Sequence, residues 1–401
     1  MFKGALPGFR DFYPQELAER AYIMRVWRDV ARRYAFVEYD GPPLEPLDLY
    51  TRKSGDEIVG QLYNFVDKGE REVALRPEMT PTVARMVAAR ANALRKPVRW
   101  FSMPQLFRYE RQQKGRLREH FQLNVDIFGV SDVSADAELV ACSVDMMRAF
   151  GLTSNDVVVR VSDRRILQAY LVSLGVPERA VTEVYGVIDK LERTPREISA
   201  EKLAALGVPE SARERVLSIA STTLADVAAS IGDRPERAHV LELERFFSYV
   251  AALLGGDERW LALDLSIVRG LAYYTGIVFE LFDRSGEFRA IAGGGRYDTL
   301  LSSLGGTDMP ALGFGMGDVV LGELLRSKGL MRPADSSPEY WIAAEESVPM
   351  ERVMREAARR RAQGSAVEYA LRPQTLSKQK KAAQAAGAKE FVTLSNDGSN
   401  G

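Results

Sequence analysis

Cysteine and histidine are nearly missing from this 401-residue chain, which has a single cysteine, Cys142, and two histidines, His120 and His239. One thiol excludes an internal disulfide and suits a reducing compartment. So few thiols and imidazoles leave no ligand set for a zinc centre. Net charge is lacking as well, since 54 Lys and Arg face 55 Asp and Glu. No global field therefore advertises nucleic acid, and a polyanion has to be met by local patches. No apolar run approaches a membrane span, and MFKGALPGFRDFYP at the N-terminus has no signal-peptide core. The expectation is a soluble, cytoplasmic protein with no membrane partner. Its length allows two domains, with ample core in the larger.

What is present is concentrated in Phe107 to Gly129, FRYERQQKGRLREHFQLNVDIFG. The segment reads as two strands joined by a basic loop. Phe121, Leu123, Val125 and Ile127 alternate with Gln122, Asn124 and Asp126. A period of two puts the polar set on one face of a sheet and the apolar set in a core. Phe107 and Tyr109 likewise oppose Arg108 and Glu110, and Lys114, Arg116 and Arg118 lie on the loop. Such a face suits a zwitterionic small molecule beside a phosphate. An exposed strand pair with solvated charges is the alternative on this segment alone.

Elsewhere, Ile23, Val26, Trp27, Val30 and Tyr34 recur at helical spacing after Pro14, and prolines at 42, 43 and 46 stop regular structure. A short strand is expected at 73–76, a helix from Thr80 to about Leu94, strands at about 98–109 and 121–128, and a helix at about 134–150. From about 164 to 255 the chain is rich in Ala, Leu, Glu and Arg with little strand signal, as an inserted helical subdomain would be. Strand signal returns at 261–268, 276–282, 288–292 and 312–316, before a helix through VVLGELLRSKG. MRPADSSPE (331–339) reads as a linker. Alternating strands and helices at 340–345, 350–363, 366–370, 376–386 and 390–394 suggest a small α/β domain in 340–401.

Three further clusters stand out. ALRPEMTP (74–81) places Glu78 and Thr80 at a strand-to-helix junction, where Thr-Pro also serves as ordinary helix capping. IVRGLAYYTG (267–276) sets Arg269 after a strand, beside Tyr273 and Tyr274. A buried Arg269 needs either a salt bridge or an anion. AGGGRYD (292–298) has three glycines that permit close backbone approach to a ligand or make a plain tight turn.

In this order the clusters resemble the histidyl-tRNA synthetases, over about Gly4 to Leu394. FRYERQQKGR with EHFQLNVDIFG resembles class II motif 2. IVRGLAYYTG resembles the family's RGLxYYxG segment, and GGGRYD matches a second family string outright. YAFVEYDGPPLE, with Pro43, resembles motif 1, and LSKQKKAAQAAGAKEF resembles the family's C-terminal anticodon-binding domain. The resemblance implies an α+β fold in which an antiparallel sheet is flanked by helices. It also implies a catalytic domain over 1–330, with the helical insertion at 164–255, and homodimerisation around Pro43. The implied reaction is ATP-dependent activation of histidine and its transfer to tRNA(His), with Mg2+ on the phosphates and no protein ligand named for it.

By the same resemblance, Arg108 grips the α-phosphate, with Arg269 on its other side as the second catalytic cation. Arg116 reaches the β/γ-phosphates, and Glu110 lies near the adenine. Glu78, Thr80 and Gln122 hold the α-ammonium, Asp126 and Tyr274 meet the imidazole, and Arg269 and Tyr273 complete the histidine site. Some members carry a longer Glu at the place of Asp126. Basic patches at Arg111–Arg118 and at Arg372, Lys378, Lys380, Lys381 and Lys389 suit tRNA phosphates or a solvated helix face.

Two departures accompany the match. Motif 3 of the class usually ends Gly-φ-Glu-Arg, whereas PALGFGMGDVVL puts Val320 in the arginine's place. The C-terminal domain is also short, with the family's final strands not evident. The rival reading is a non-catalytic paralogue such as the regulatory subunit of ATP phosphoribosyltransferase. Retention of Arg108, Arg116 and Arg269 weighs against it.

Overall fold

The computed structural model describes residues 4–51, 60–109, 115, 117–268 and 273–395. The chain divides into two compact units, Met1–Pro333 and Ala334–Gly401.

The first unit opens with helix α1, Pro14–Arg33, which has proline at its start, Glu16 in the first turn and Arg32 and Arg33 in the last. That order of charges complements the helix dipole. Its buried residues Tyr22, Ile23, Val26, Trp27, Val30 and Ala31 form one helical stripe. Strands β1 (Val37–Glu38) and β2 (Leu44–Pro46), helix α2 (Asp48–Thr51), and strands β3 (Tyr63–Val66) and β4 (Glu72–Leu75) follow, then helix α3 (Thr80–Ala89). Next come β5 (Val98–Ser102), β6 (Gln105–Phe107), β7 (Glu119–Phe128), α4 (Ser134–Ala149) and β8 (Val157–Asp163). The stretch after β8 is helical: α5 (Arg164–Ser173), α6 (Val181–Ile188), α7 (Arg196–Ala205), α8 (Glu210–Leu217), α9 (Leu224–Ile231) and α10 (Arg237–Leu253). The unit closes with β9 (Leu261–Leu263), β10 (Ile277–Asp283), β11 (Ala292–Arg296), α11 (Leu300–Ser303), β12 (Ala311–Gly317) and α12 (Asp318–Ser327).

Among the described residues nine strands make one sheet, ordered β1-β5-β7-β12-β11-β10-β8-β9, with β6 pairing β7 beside that path. The sheet is antiparallel except at its two ends, where β1 pairs β5 and β8 pairs β9 in parallel. A smaller antiparallel sheet has the order β2-β4-β3. Leu123, Val125 and Ile127 of β7 pack into one core with Trp27 and Val30 of α1 and with Leu139, Cys142 and Met146 of α4. The other face of β7 carries Gln122, Asn124 and Asp126. Cys142 is fully buried, and burial pushes its thiol pKa up.

Several elements differ from the sequence reading for physical reasons. VVVRVSD (157–163) is a strand that the sequence left unassigned. It is buried on both sides apart from Arg160, so it lacks the alternation that marks a half-exposed strand. The strand expected at 98–109 is two strands broken around Met103-Pro104, because proline has no N–H to continue a ladder. The strand expected through 268 ends at Leu263, where the Asp264 carboxylate takes the Ser266 backbone N–H at 3.0 Å and turns the chain. The glycines of AGGGRYD are neither turn nor loop but the middle of β11. A Cβ on Gly294 would stand 2.2 Å from the Gly313 carbonyl oxygen, and one on Gly295 would stand 2.6 Å from that of Ile277. These two glycines admit the neighbouring strands.

The second unit alternates β13 (Tyr340–Ala344), α13 (Met350–Ala362), β14 (Val367–Tyr369), α14 (Leu376–Ala385) and β15 (Glu390–Leu394). Its strands form a parallel sheet ordered β14-β13-β15. Ile342 and Ala344 pack with α13 through Val353 and Ala357, while Trp341 and Ala343 pack with Ala383 of α14. Buried Gln379 accepts the Ala344 N–H at 3.1 Å and donates to the Ala344 carbonyl at 2.8 Å, which holds α14 on the strand.

Candidate active site

The polar face of β7 is floored by glycine. Across the β12 ladder Gly313 stands opposite Asp126, Gly315 opposite Asn124 and Gly317 opposite Gln122. A Cβ on Gly313 would lie 2.2 Å from Asp126 Oδ1, and one on Gly315 2.3 Å from Gln122 Nε2. Only glycine leaves room for the carboxylate and the amide to lean over the neighbouring strand.

Asp126 is buried, and the Tyr297 hydroxyl donates to its Oδ1 at 2.5 Å. Among the described residues its Oδ2 has no partner. Burial raises this carboxyl to about 7, with the Tyr297 hydrogen bond acting in the opposite direction. Along the same face, Gln122 Nε2 donates to Asn124 Oδ1 at 2.8 Å. The Gln122 carbonyl Oε1 lies 3.3 Å from His120 Nε2.

Glu78 is buried just before α3 and accepts from the Tyr273 hydroxyl at 3.1 Å. The Tyr273 and Tyr297 rings meet edge to face with centroids 5.9 Å apart, so adjacent phenols serve the Glu78 and Asp126 carboxylates. Tyr274 is also buried, 5.0 Å from the Tyr273 ring. Thr80 is the first residue of α3 and half-buried. The N-cap is Met79, with no side-chain cap bond, so Thr80 does not act as a capping group. Arg108 donates from Nε to the Pro77 carbonyl at 2.9 Å, beside Glu78. Burial first, then the Arg108 charge, pushes His120 down to about 3, which keeps its ring neutral.

The structure thus brings Glu78, Gln122, Asp126, Tyr273 and Tyr274 into one region, with Thr80 and Arg108 attached at its edge. Arg269, Glu110 and Arg116 lie outside the described residues. Pro43 is exposed, and its carbonyl accepts the Arg76 N–H at 3.0 Å. The sequence reading did not single out Tyr297, although GGGRYD contained it, nor His120. It had no signal for Arg10, whose partners stand 109 and 308 residues away.

At the motif 3 position Val320 packs against the main core. Two residues earlier, Asp318 accepts the Phe121 N–H at 2.9 Å and Arg10 Nη1 at 2.9 Å, while Arg10 Nε donates to Glu119 at 2.6 Å. An ion cluster therefore ties the start of β7 to the start of α12. Burial raises the Asp318 carboxyl above its usual range, against the pull of Arg10. Among the described residues no three His, Cys, Asp or Glu side chains gather as a metal site. A cleft of about 420 Å³ lined by Tyr170, Arg215 and Asp226 contains none of these residues.

A helix-backed antiparallel sheet with a polar, glycine-floored face defines the catalytic unit of a class II aminoacyl-tRNA synthetase. The model of the family described as histidyl-tRNA synthetase matches residues 8–317, and the chain belongs to that family. It is 44% identical over 390 residues to a histidine–tRNA ligase of Opitutus terrae, covering 96% of this chain and 89% of that one. It is 44% identical over 338 residues to the chloroplastic/mitochondrial histidine–tRNA ligase of Arabidopsis thaliana, covering 84% and 69%. In fold it is similar to the crystal structure of histidyl-tRNA synthetase from Nostoc, with a TM-score of 0.83 at 23% identity over 98% of this chain and 92% of that one.

Proposed function

We propose that this chain is a histidine–tRNA ligase, which activates histidine with ATP and passes it to the 3′ end of tRNA(His). The observation that carries the reading is Asp126, a buried carboxyl with one oxygen held by Tyr297 and the other unpartnered. An acceptor of that kind suits the N–H of an imidazole. A pocket that hydrogen-bonds a substrate's polar group rejects analogues lacking it by about 10⁴–10⁵ without editing.

In the first half-reaction the histidine carboxylate attacks the α-phosphate of ATP and pyrophosphate leaves. Two anions meet, and charge grows on the phosphate's equatorial oxygens. Fixed cations aimed there each lower the barrier by roughly 3–4 kcal/mol. Arg108 and Arg269 take that role, Arg116 steadies the β/γ-phosphates and Glu110 holds the adenine. Glu78, Thr80 and Gln122 receive the α-ammonium. Asp126 and Tyr274 serve the imidazole nitrogens, and Tyr273 steadies Glu78. Magnesium screens the phosphates when bound. The protein acts as a cytoplasmic homodimer through the region around Pro43. The helical segment 164–255 is an insertion in the catalytic domain, and 340–401 is an anticodon-binding-like domain after a 331–339 linker.

The test is histidine-dependent exchange of labelled pyrophosphate into ATP, with other amino acids as controls. Exchange with histidine alone supports the ligase and shows that Val320 is tolerated. Histidine binding without exchange moves the chain to the regulatory-paralogue reading. Arg269→Ala should abolish exchange with the fold intact, and wild-type rates in that variant would remove Arg269 from the mechanism.

A further inference from the structure

Three oxygens near the Asp126 carboxyl are buried and, among the described residues, make no hydrogen bond: Asp126 Oδ2, Tyr39 Oη and Ser102 Oγ. They come from different stretches of chain. Tyr39 follows β1 and is pinned by its N–H to the Phe101 carbonyl at 2.9 Å. Its ring packs on Trp100 with centroids 5.4 Å apart. In the β5–β7 ladder Trp100 stands opposite Asp126 and Ser102 opposite Asn124. Ser102 and Asp126 are therefore diagonal neighbours on one face, within reach of a shared small partner. The Asp126 charge bears on the Tyr39 phenol, and the Ser102 hydroxyl is close enough to interact with it directly, so the two hydroxyls stand together on the Asp126 side of the sheet.

Buried polar atoms in folded proteins nearly always find partners, and several orphans meeting in one place mark where a polar partner sits. A site for water needs two to four such groups. Aspartate is the shorter of the two carboxylate side chains, one methylene less than glutamate, so its reach toward a substrate is shorter. We propose that Tyr39, Ser102 and Asp126 hold one ordered water that extends the short carboxylate to the substrate imidazole, making Tyr39 and Ser102 determinants of histidine specificity. The water accepts the ring N–H and donates to Asp126 Oδ2. Tyr39 and Ser102 fill its remaining positions, and Tyr297 holds the carboxylate's other oxygen.

The inference rests on Asp126 facing the imidazole, as set out under the proposed function. Its test is calorimetric histidine binding to the full-length protein, with KM for ATP measured alongside. Tyr39→Phe and Ser102→Ala each remove one oxygen and should weaken histidine binding by about tenfold, leaving KM for ATP within about twofold. Asp126→Glu brings the carboxylate to the water's place, so Tyr39→Phe in that background should cost less than about threefold. A fall in folded stability alone would leave both ratios at one. Unchanged histidine affinity in Tyr39→Phe and Ser102→Ala overturns the proposal. So does an equal loss from Tyr39→Phe in the wild-type and Asp126→Glu backgrounds. If Asp126→Glu does not fold, the two single variants decide the matter. A wild-type protein that binds no histidine would instead defeat the functional reading itself.

Discussion

Asp126 is where the chemistry of single residues is most exposed to measurement. In the folded chain its carboxyl titrates near 7 against an ordinary 3.8. Between those values the folded state keeps a proton that the unfolded state has released. The carboxyl therefore favours folding most at low pH, and that contribution is lost as pH rises through 7. Asp126→Asn keeps an acceptor for Tyr297 and removes the cost of a buried charge. Urea unfolding should show the variant more stable by on the order of 2–4 kcal/mol at pH 8 and unchanged at pH 4. An equal effect at both would mean that Asp126 ionises freely. Ligand binding follows the same arithmetic. Below pH about 6.5 both free histidine and Asp126 hold a proton, yet only one fits between them. Histidine affinity should fall by about tenfold per pH unit there, and a flat calorimetric profile from pH 5.5 to 7.5 would contradict it.

At the scale of elements, the site depends on how β7 is gripped by its neighbours. Arg10 joins Glu119 at the start of β7 to Asp318 at the start of α12, with side-chain exposures of 25%, 1% and 4%. Arg10→Ala would strand two buried carboxylates and should cost about 3–5 kcal/mol in denaturant unfolding. A loss under about 1 kcal/mol would mean that water already reaches the pair. On the other flank, Gly313→Ala should push the Asp126 carboxylate aside. It should weaken histidine binding by more than about tenfold with ATP binding kept. Most elements here were legible from periodicity, because the face of β7 that holds Gln122, Asn124 and Asp126 differs so sharply in chemistry from the face that holds Leu123, Val125 and Ile127. What stayed hidden was set by partners distant in sequence. Buried VVVRVSD shows no alternation, and the strand role of Gly293 to Gly295 follows from the approach of β10 and β12. Tyr39 and Ser102 look like core positions until Asp126 is placed next to them. Arg10 has no meaning without Glu119 and Asp318.

For the whole molecule, each unit has its own core: one runs from Tyr22 to Leu325, and another from Ile342 to Leu394. A chain ending at Pro333 should therefore fold and keep pyrophosphate exchange within about twofold, since it loses none of the proposed site. Charging of tRNA(His) should drop by at least about tenfold if the lysines 378, 380 and 381, lost with that unit, meet tRNA phosphates. Undiminished charging would leave the second unit without a role in tRNA binding. The lone thiol adds a consequence of another kind. Cys142 lies fully covered in α4, between the sheet and the flanking helices. A colourless disulfide reagent added to the native protein has nothing to titrate until that layer separates. The rate at which colour develops then counts openings of the enzyme's centre, one molecule at a time, with no label or mutation introduced.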